Sequence, residues 1–195
     1  MAVFTQDWFS NITHLLDEML ERYKGVDGVK YLEIGSFEGM SAIWVLDNIL
    51  TGKNCKATCV DSFQGGSKYN EWGIEVSNLE KTFTSNMEPY KGRYVLKKGL
   101  SKDVLRYNFK EQSFDIIYVD GSHEASDTLI DLVNAFYLLK VGGELLIDDY
   151  MWNFNQFETQ NTPKEAVDSF LRCFKDKIQL KFISWKTVSI KKTLN

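Results

Sequence analysis

The sequence predicts a doubly wound α/β fold: a mainly parallel, seven-stranded sheet with helices on both faces, closed by an antiparallel C-terminal hairpin strand. Three observations predict it. Apolar runs of strand length alternate with stretches of helical periodicity along almost the whole chain. The runs at 114–119 (FDIIYV) and 144–147 are apolar at most positions, as strands buried on both faces are. Residues 179–184 and 187–191 instead alternate about a two-residue break, the pattern of a hairpin.

The elements follow in order. From Ser10, apolar residues at Ile12, Leu15, Leu16, Met19, Leu20 and Tyr23 make one helical stripe; Ser10 is placed to cap it and Gly25 to stop it. His14 falls on the polar side of that helix. A strand spans 29–34, a helix 40–50 with Ile43, Leu46, Ile49 and Leu50 on its apolar side, and a second strand 56–60. Residues 62–75 form a polar loop in which Gly65-Gly66 permits sharp turns and Tyr69 and Trp72 offer large faces. A helix over 76–87, a strand over 94–98 and a short helix from Ser101 lead to the strand 114–119. A helix over 124–139 is then stopped by Gly142-Gly143 before the strand 144–147. Thr162-Pro163-Lys164-Glu165 combines a capping box with proline at the first helical position, so a helix runs from there to about 175.

Composition narrows the function. The chain has 195 residues, 44% of them hydrophobic, with 23 Lys+Arg against 27 Asp+Glu and a net charge of −4. That length and composition fit a single globular domain over 1–195, with 1–26 as a helical segment packed on it. Without a basic surplus there is no large counterion-release contribution to nucleic-acid binding. The lysines at 186, 191 and 192 read as a solvated strand edge. Cys55 and Cys59 lack zinc-site spacing, and three cysteines cannot all pair, so reduced thiols in a cytoplasmic setting are expected. No run approaches the ~18–20 apolar residues of a membrane span.

In open parallel sheets, ligands bind beyond the carboxyl ends of the strands. Polar residues stand at those ends in series. Glu33-Ile34-Gly35-Ser36-Phe37-Glu38-Gly39 closes the first strand, and Gly35 and Gly39 allow a tight turn and close backbone approach. Asp61 closes the second strand, where a carboxylate can accept both ribose hydroxyls. Gly99-Leu100-Ser101 closes the third and Asp120 the fourth. The loop lacks the spacing G-x-G-x-x-G, because Glu33 and Glu38 occupy the outer glycine positions, and no P-loop lysine follows. An acidic loop suits a cationic, phosphate-free nucleoside better than a pyrophosphate.

A second constellation joins Asp120-Gly121-Ser122-His123 to Asp148-Asp149. Neighbouring fourth and fifth strands would bring three carboxylates together, an arrangement that holds protons or a cation. Oxygen ligands favour Mg²⁺, Mn²⁺ or Ca²⁺. The plainer alternative is that Asp120 caps a helix and Asp148 and Asp149 are turn residues. His123, three residues past Asp120, is placed to act as a general base, or simply to start a helix. Trp72 and Trp152, in loops, are placed to line a pocket.

Taken together, YLEIGSFEGMS, CVDSF, KKGLS, FDIIYVDGSH and LLKVGGELLIDDY resemble the successive motifs of class I S-adenosylmethionine-dependent methyltransferases, across nearly the whole chain. DGSH followed by LLKVGG and DDY is similar to the macrocin-type branch, which methylates sugar hydroxyls. The resemblance implies a Rossmann-like sheet and cofactor contacts from Glu33, Gly35, Ser36, Gly39, Ser41, Asp61, Ser62, Gly99, Ser101 and Asp120. It implies Mg²⁺ or Mn²⁺ held by Asp120, Asp148 and Asp149, with Asp120 and His123 catalytic and His123 the general base. Related metal-dependent enzymes often carry Glu-Asp or Asp-Asn where this chain has Asp148-Asp149, and larger relatives add an N-terminal domain. The expected acceptor is a sugar-containing small molecule or glycan, with no nucleic-acid or membrane partner and a possible homo-oligomeric state. A metal-dependent catechol or phenol O-methyltransferase shares the carboxylate plan, and a noncatalytic cofactor-fold partner subunit is the alternative from another class. An adenine N-methyltransferase would carry an Asn/Asp-Pro-Pro-aromatic turn, where this chain has Asp120-Gly121-Ser122-His123.

Overall fold

The computed structural model describes residues 2–65, 69, 73–152 and 162–195. Seven strands form one sheet: β1 (Lys30–Ile34), β2 (Lys56–Asp61), β3 (Tyr94–Lys98), β4 (Phe114–Val119), β5 (Leu139–Ile147), β6 (Ile178–Ile183) and β7 (Val188–Lys192). Their order is β3-β2-β1-β4-β5-β7-β6. The first five are mutually parallel, whereas β7 runs antiparallel to both β5 and β6. The helices are α1 (Thr13–Leu20), α2 (Met40–Asn48), α3 (Leu79–Met87), α4 (Ser101–Asn108), α5 (Ala125–Leu138) and α6 (Pro163–Phe174). Trp72 lies outside the described residues.

Period-2 alternation divides each central strand between two cores. Tyr31, Ala57, Cys59, Ile116 and Tyr118 face one side, where they meet Leu16 and Leu20 of α1, Val45 and Leu46 of α2, and Phe83 and Met87 of α3. Leu32, Ile34, Val60, Ile117, Val119, Leu145 and Ile147 face the other, against α4, α5 and α6. Both faces of β4 and β5 are therefore apolar, which is why those runs carry almost no polar residue. Cys55 and Cys59 are free thiols buried in the first core, and Cys173 is free and exposed.

Three expectations are corrected. Gly142-Gly143 does not separate a helix from a strand: α5 ends at Leu138, and β5 starts at once with Leu139 in extended conformation. The pairing Phe114↔Leu139 is followed by Ile116↔Glu144, so β5 carries a bulge there. A Cβ on Gly143 would stand 2.7 Å from Leu139 Cδ1 and 2.8 Å from the Asp115 carbonyl, which is why the bulge needs glycine.

Nor do the C-terminal lysines line a solvated edge. β6 is the edge strand, and β7 lies inside the sheet. Lys192 is 1% exposed and donates from Nζ to the carbonyls of Phe136 and Leu139, each at 2.9 Å. It thereby neutralises the negative end of α5 at the point where the chain leaves the helix without a turn. Burial pulls its pKa below the usual lysine value. Lys186 is also buried.

The capping box is only half realised. Thr162 and Pro163 occupy the expected cap and first-turn positions of α6, but the threonine side chain makes no capping hydrogen bond.

Phe170 of α6 is fully buried, 4.6 Å from the Phe174 ring and 6.4 Å from that of Phe136. Phe170→Ala should destabilise the protein by about 3–5 kcal/mol. Urea unfolding checks it; a loss below ~1 kcal/mol would mean that α6 is loosely docked.

Candidate active site

The hydrogen-bond ladders of the parallel strands continue one residue past their carboxyl ends. Gly35 N donates to Val60 O, Asp120 N to Ile34 O, Asp148 N to Val119 O, and Gly99 N to Asp61 O, all within 2.8–3.0 Å. These bonds line up the glycine turn, Asp61, Asp120 and the Asp148-Asp149 pair along one edge of the sheet. Above that edge lies a cavity of about 730 Å³, within the range of small-molecule sites.

One end of the cavity is the turn from β1 into α2. Gly35 has φ 84°, and a Cβ there would fall 1.9 Å from the Asp120 carbonyl oxygen, so glycine is required by the crossing of two backbones. Gly39 caps α2 in the left-handed conformation, with α3 packed against it rather than the cavity. The Asp61 carboxylate accepts three backbone N–H bonds, from Ser36 (2.8 Å), Phe37 (2.9 Å) and Phe63 (2.7 Å). It therefore shapes the turn it faces. Ser36, Ser41, Asp61, Ser62, Gly99 and Ser101 line the cavity together with Gly35, whereas Glu33 and Gly39 stand behind its wall. Glu33 is fully buried, accepts from the Tyr31 hydroxyl at 2.7 Å and has its pKa raised to about 7, chiefly by burial. The Ser36 and Ser41 hydroxyls also lie against this carboxylate and, with Tyr31, oppose the rise.

The other end holds Asp120, His123 and Asp149, whose ligand atoms lie within 4.8 Å of one another. His123 Nε2 is 2.8 Å from Asp149 Oδ2, and the Trp152 ring packs 4.6 Å from the imidazole. An ionised Asp149 accepts an N–H at this distance, which leaves Nδ1 of a neutral His123 as the acceptor nitrogen. Asp149 reaches this position because its backbone is left-handed, with φ 51°, a conformation aspartate tolerates better than most residues. Asp148, expected as a third ligand, points elsewhere. Its oxygens accept from Tyr118 (2.6 Å) and Thr187 (3.2 Å), and Lys186 Nζ is 4.0 Å away.

Burial raises the Asp120 carboxyl well above its ordinary pKa, the neighbouring Asp148, Asp149 and Glu33 add to the rise, and Lys186 opposes it. Two carboxylates and an imidazole at this spacing fit a divalent cation. Asp120 and Asp149 would hold it, with the His123 imidazole beside them.

The sequence reading missed the N-terminal contribution. Gln6, Asp7, Trp8, Phe9 and Asn11 line the cavity, as do Phe37 and Lys186. Trp8 lies 5.2 Å from Phe37 and 6.5 Å from Tyr69, and Phe37 lies 5.7 Å from Tyr69. Residues 2–9 have no periodicity that could have signalled this. His14 is exposed on α1, away from the cavity.

A doubly wound sheet with a glycine turn, a strand-end carboxylate and a ligand cavity along its carboxyl edge is the Rossmann-like methyltransferase fold. The chain belongs to the family described as a methyltransferase domain, whose model matches residues 32–150, from β1 to just past β5. Solved structures share the fold. An O-methyltransferase of Streptomyces achromogenes, TomG, involved in tomaymycin synthesis and solved with S-adenosylmethionine (SAM), has TM-score 0.71 at 14% identity. The match covers 96% of this chain and 82% of that one. A Bacillus cereus O-methyltransferase solved with S-adenosylhomocysteine (SAH) has TM-score 0.69 at 16% identity, covering 97% and 84%. MycE, a methyltransferase of the mycinamycin biosynthetic pathway solved with Mg and SAH, has TM-score 0.65 at 17% identity, covering 97% of this chain and 51% of that one. No curated protein matches the chain in sequence. Among the described residues no helix is long and apolar enough to cross a membrane.

Two outcomes are expected. Gly35→Ala should destabilise the protein by roughly 3 kcal/mol or more, since neither backbone can move aside. Gly142→Ala, also at positive φ but facing open space, should cost only the ~1–2 kcal/mol of left-handed strain. Equal losses in urea unfolding would mean that the Asp120 carbonyl is not the obstacle.

Asp131, on the inner face of α5, is 1% exposed, and burial raises its carboxyl pKa to about 7. Between its ordinary value of 3.8 and about 7, the folded protein keeps a proton the unfolded chain has lost. The contribution of Asp131 to stability is therefore greatest below pH 4, falls as pH rises through this window, and levels off above it. Asp131→Asn should flatten that fall by about 2–4 kcal/mol. Parallel unfolding curves for variant and wild type from pH 4 to 8 would show that the carboxyl is not buried this way.

Proposed function

We propose that the protein is a S-adenosylmethionine-dependent O-methyltransferase, assisted by a divalent metal and acting on a hydroxyl of a sugar in a glycan or glycosylated metabolite. The observation that carries this reading is one cavity with two chemically different ends. At one end stand the glycine turn, Ser36 and Asp61; at the other stand Asp120, His123 and Asp149.

The first end takes the cofactor. Gly35, Ser36 and Ser41, with Ser62, Gly99 and Ser101, surround a nucleoside-sized space. When bound, the cofactor would supply an electrophilic methyl group, and Mg²⁺ or Mn²⁺ would make an alkyl hydroxyl more acidic. Transfer would then depend on how the cavity residues position the acceptor oxygen, and such alignment contributes on the order of 7–11 kcal/mol at best.

His123 removes the acceptor proton. Asp149 fixes the ring through Nε2, Trp152 packs against it, and Nδ1 is left to accept. An alkyl hydroxyl needs such a base more than a catechol does, because it ionises less readily. Trp8, Phe37 and Tyr69 offer ring faces on which a sugar can stack. The same ligand spacing also suits His123 as a metal ligand, and the assays separate the two roles.

SAH at millimolar concentration should raise the melting temperature, because it binds only the folded protein; no shift overturns the cofactor assignment. Transfer to deoxyhexosides should stop with EDTA and return with Mn²⁺ or Mg²⁺, and full activity in EDTA removes the metal from the mechanism. His123→Ala should lower kcat by ~10²–10⁴-fold, with the Mn²⁺ concentration for half-maximal activity unchanged within about twofold. A large rise in that concentration makes His123 a ligand instead. Turnover of catechols but of no sugar replaces the acceptor class with a phenol.

A further inference from the structure

The N-terminal segment forms a wall of the cavity without belonging to the sheet, and polar contacts fix it at three points. Val3 N donates to Asn86 Oδ1, and Asn86 Nδ2 returns a bond to Val3 O, each at 2.9 Å. Thr5 donates to the buried Glu38 carboxylate through both its backbone N–H (2.6 Å) and its hydroxyl (2.9 Å). Lys186 makes the third attachment. Its Nζ donates to the Trp8 carbonyl (2.5 Å) and to Asn11 Oδ1 (3.2 Å).

Lys186 differs from the other two clasps in what lies behind it. It is 8% exposed, sits on the turn between β6 and β7, and has Asp148 Oδ2 4.0 Å from Nζ. The turn itself is tied to the chain leaving β5, with Tyr150 N donating to Lys186 O (2.8 Å) and Met151 N to Trp185 O (3.0 Å). One ammonium thus joins three segments distant in sequence: the N-terminal wall, the acidic end of β5 and the C-terminal hairpin. A buried ammonium is stable only with its donors satisfied and an opposite charge at hand, and two of its acceptors belong to the wall. Moving the wall would leave that charge short of partners, so the wall and the carboxylate end of the cavity are held in one geometry.

We propose that Lys186 is a positioning residue for the acceptor: it fixes residues 8–11, and with them Trp8, as the acceptor-side wall of the cavity. The acceptor part of this rests on the methyltransferase reading above; the clamp does not. The Lys186 ammonium is engaged by Trp8 and Asn11 rather than by Asp120, His123 or Asp149. It sets where the wall stands relative to Asp120, His123 and Asp149.

Hydrogen exchange read by mass spectrometry, together with steady-state kinetics, tests it on the full chain. In Lys186→Met, peptides covering 6–12 should exchange at least ~10-fold faster than in the wild type, while α5 peptides and the SAH-induced thermal shift stay the same. KM for the acceptor should rise by ~10-fold or more with kcat within about threefold. Unchanged exchange over 6–12 overturns the clamp, and a fall in kcat at constant KM assigns Lys186 to the chemistry and overturns the positioning role. If Lys186→Met does not fold, Asn11→Leu keeps the Lys186–Asp148 pair and removes one wall contact. It should still speed exchange over 6–12 by several-fold, and no change overturns the proposal. A wild type that transfers methyl to no acceptor overturns the functional reading, and the exchange data then decide the clamp alone.

Discussion

The register of four parallel strand ends is the constraint on which the rest of the structure depends. Each ladder bond past a strand end, from Gly35 to Val60, Asp120 to Ile34, Asp148 to Val119 and Gly99 to Asp61, sets one polar segment beside the next. Parallel strands place equivalent ends on one edge, and right-handed crossovers cover both faces, so this edge is where the sheet opens to a ligand. Slipping any strand by one residue would turn its apolar side chains to the wrong core and carry its terminal carboxylate away from the cavity. The closeness of Gly35 to the Asp120 carbonyl is part of the same constraint, because it lets the β1 and β4 ends approach without a side chain between them.

Concentrating Asp61, Asp120, Asp148 and Asp149 on one edge creates repulsion, and the fold answers it in different ways. Asp61 is neutralised by three backbone N–H groups of the turns around it. Asp148 is turned back against two hydroxyls, with the Lys186 ammonium behind. Asp120 and Asp149 instead converge with His123, their ligand atoms within 4.8 Å of one another. Adjacent residues thus take opposite duties, because the left-handed backbone at Asp149 sends its carboxylate forward while Asp148 stays in the sheet's direction.

The two buried lysines show how the hairpin contributes. Inserting β7 between β5 and β6 puts Lys192 under the end of α5 and Lys186 at the end of β5. Each ammonium replaces something a regular chain would otherwise supply: a C-terminal cap for α5, and a counter-charge for Asp148. The antiparallel strand is thus an electrostatic support for the parallel sheet as well as an extension of it.

Much of this was determined by the sequence alone. Two-residue and 3.6-residue periodicities fixed the succession of strands and helices, since both cores are apolar and any other period would expose them. Polar residues ending apolar strands marked the ligand edge, because a parallel sheet must bring such ends together. Four things were decided only by tertiary structure. Gly142-Gly143 lies within β5 because close packing of Leu139 and the Asp115 carbonyl needs a bulge there, which no local signal announces. Lys186 and Lys192 are buried because β7 became an internal strand, and a lysine's exposure depends on which strand covers its own. His123 rather than Asp148 joins Asp120 and Asp149, since side-chain direction at a strand end follows from backbone angles and long-range partners such as Tyr118 and Thr187. The cavity wall from residues 6–11 belongs with these: its contacts to Glu38, Asn86 and Lys186 span the whole chain, and sequence periodicity carries no information about them.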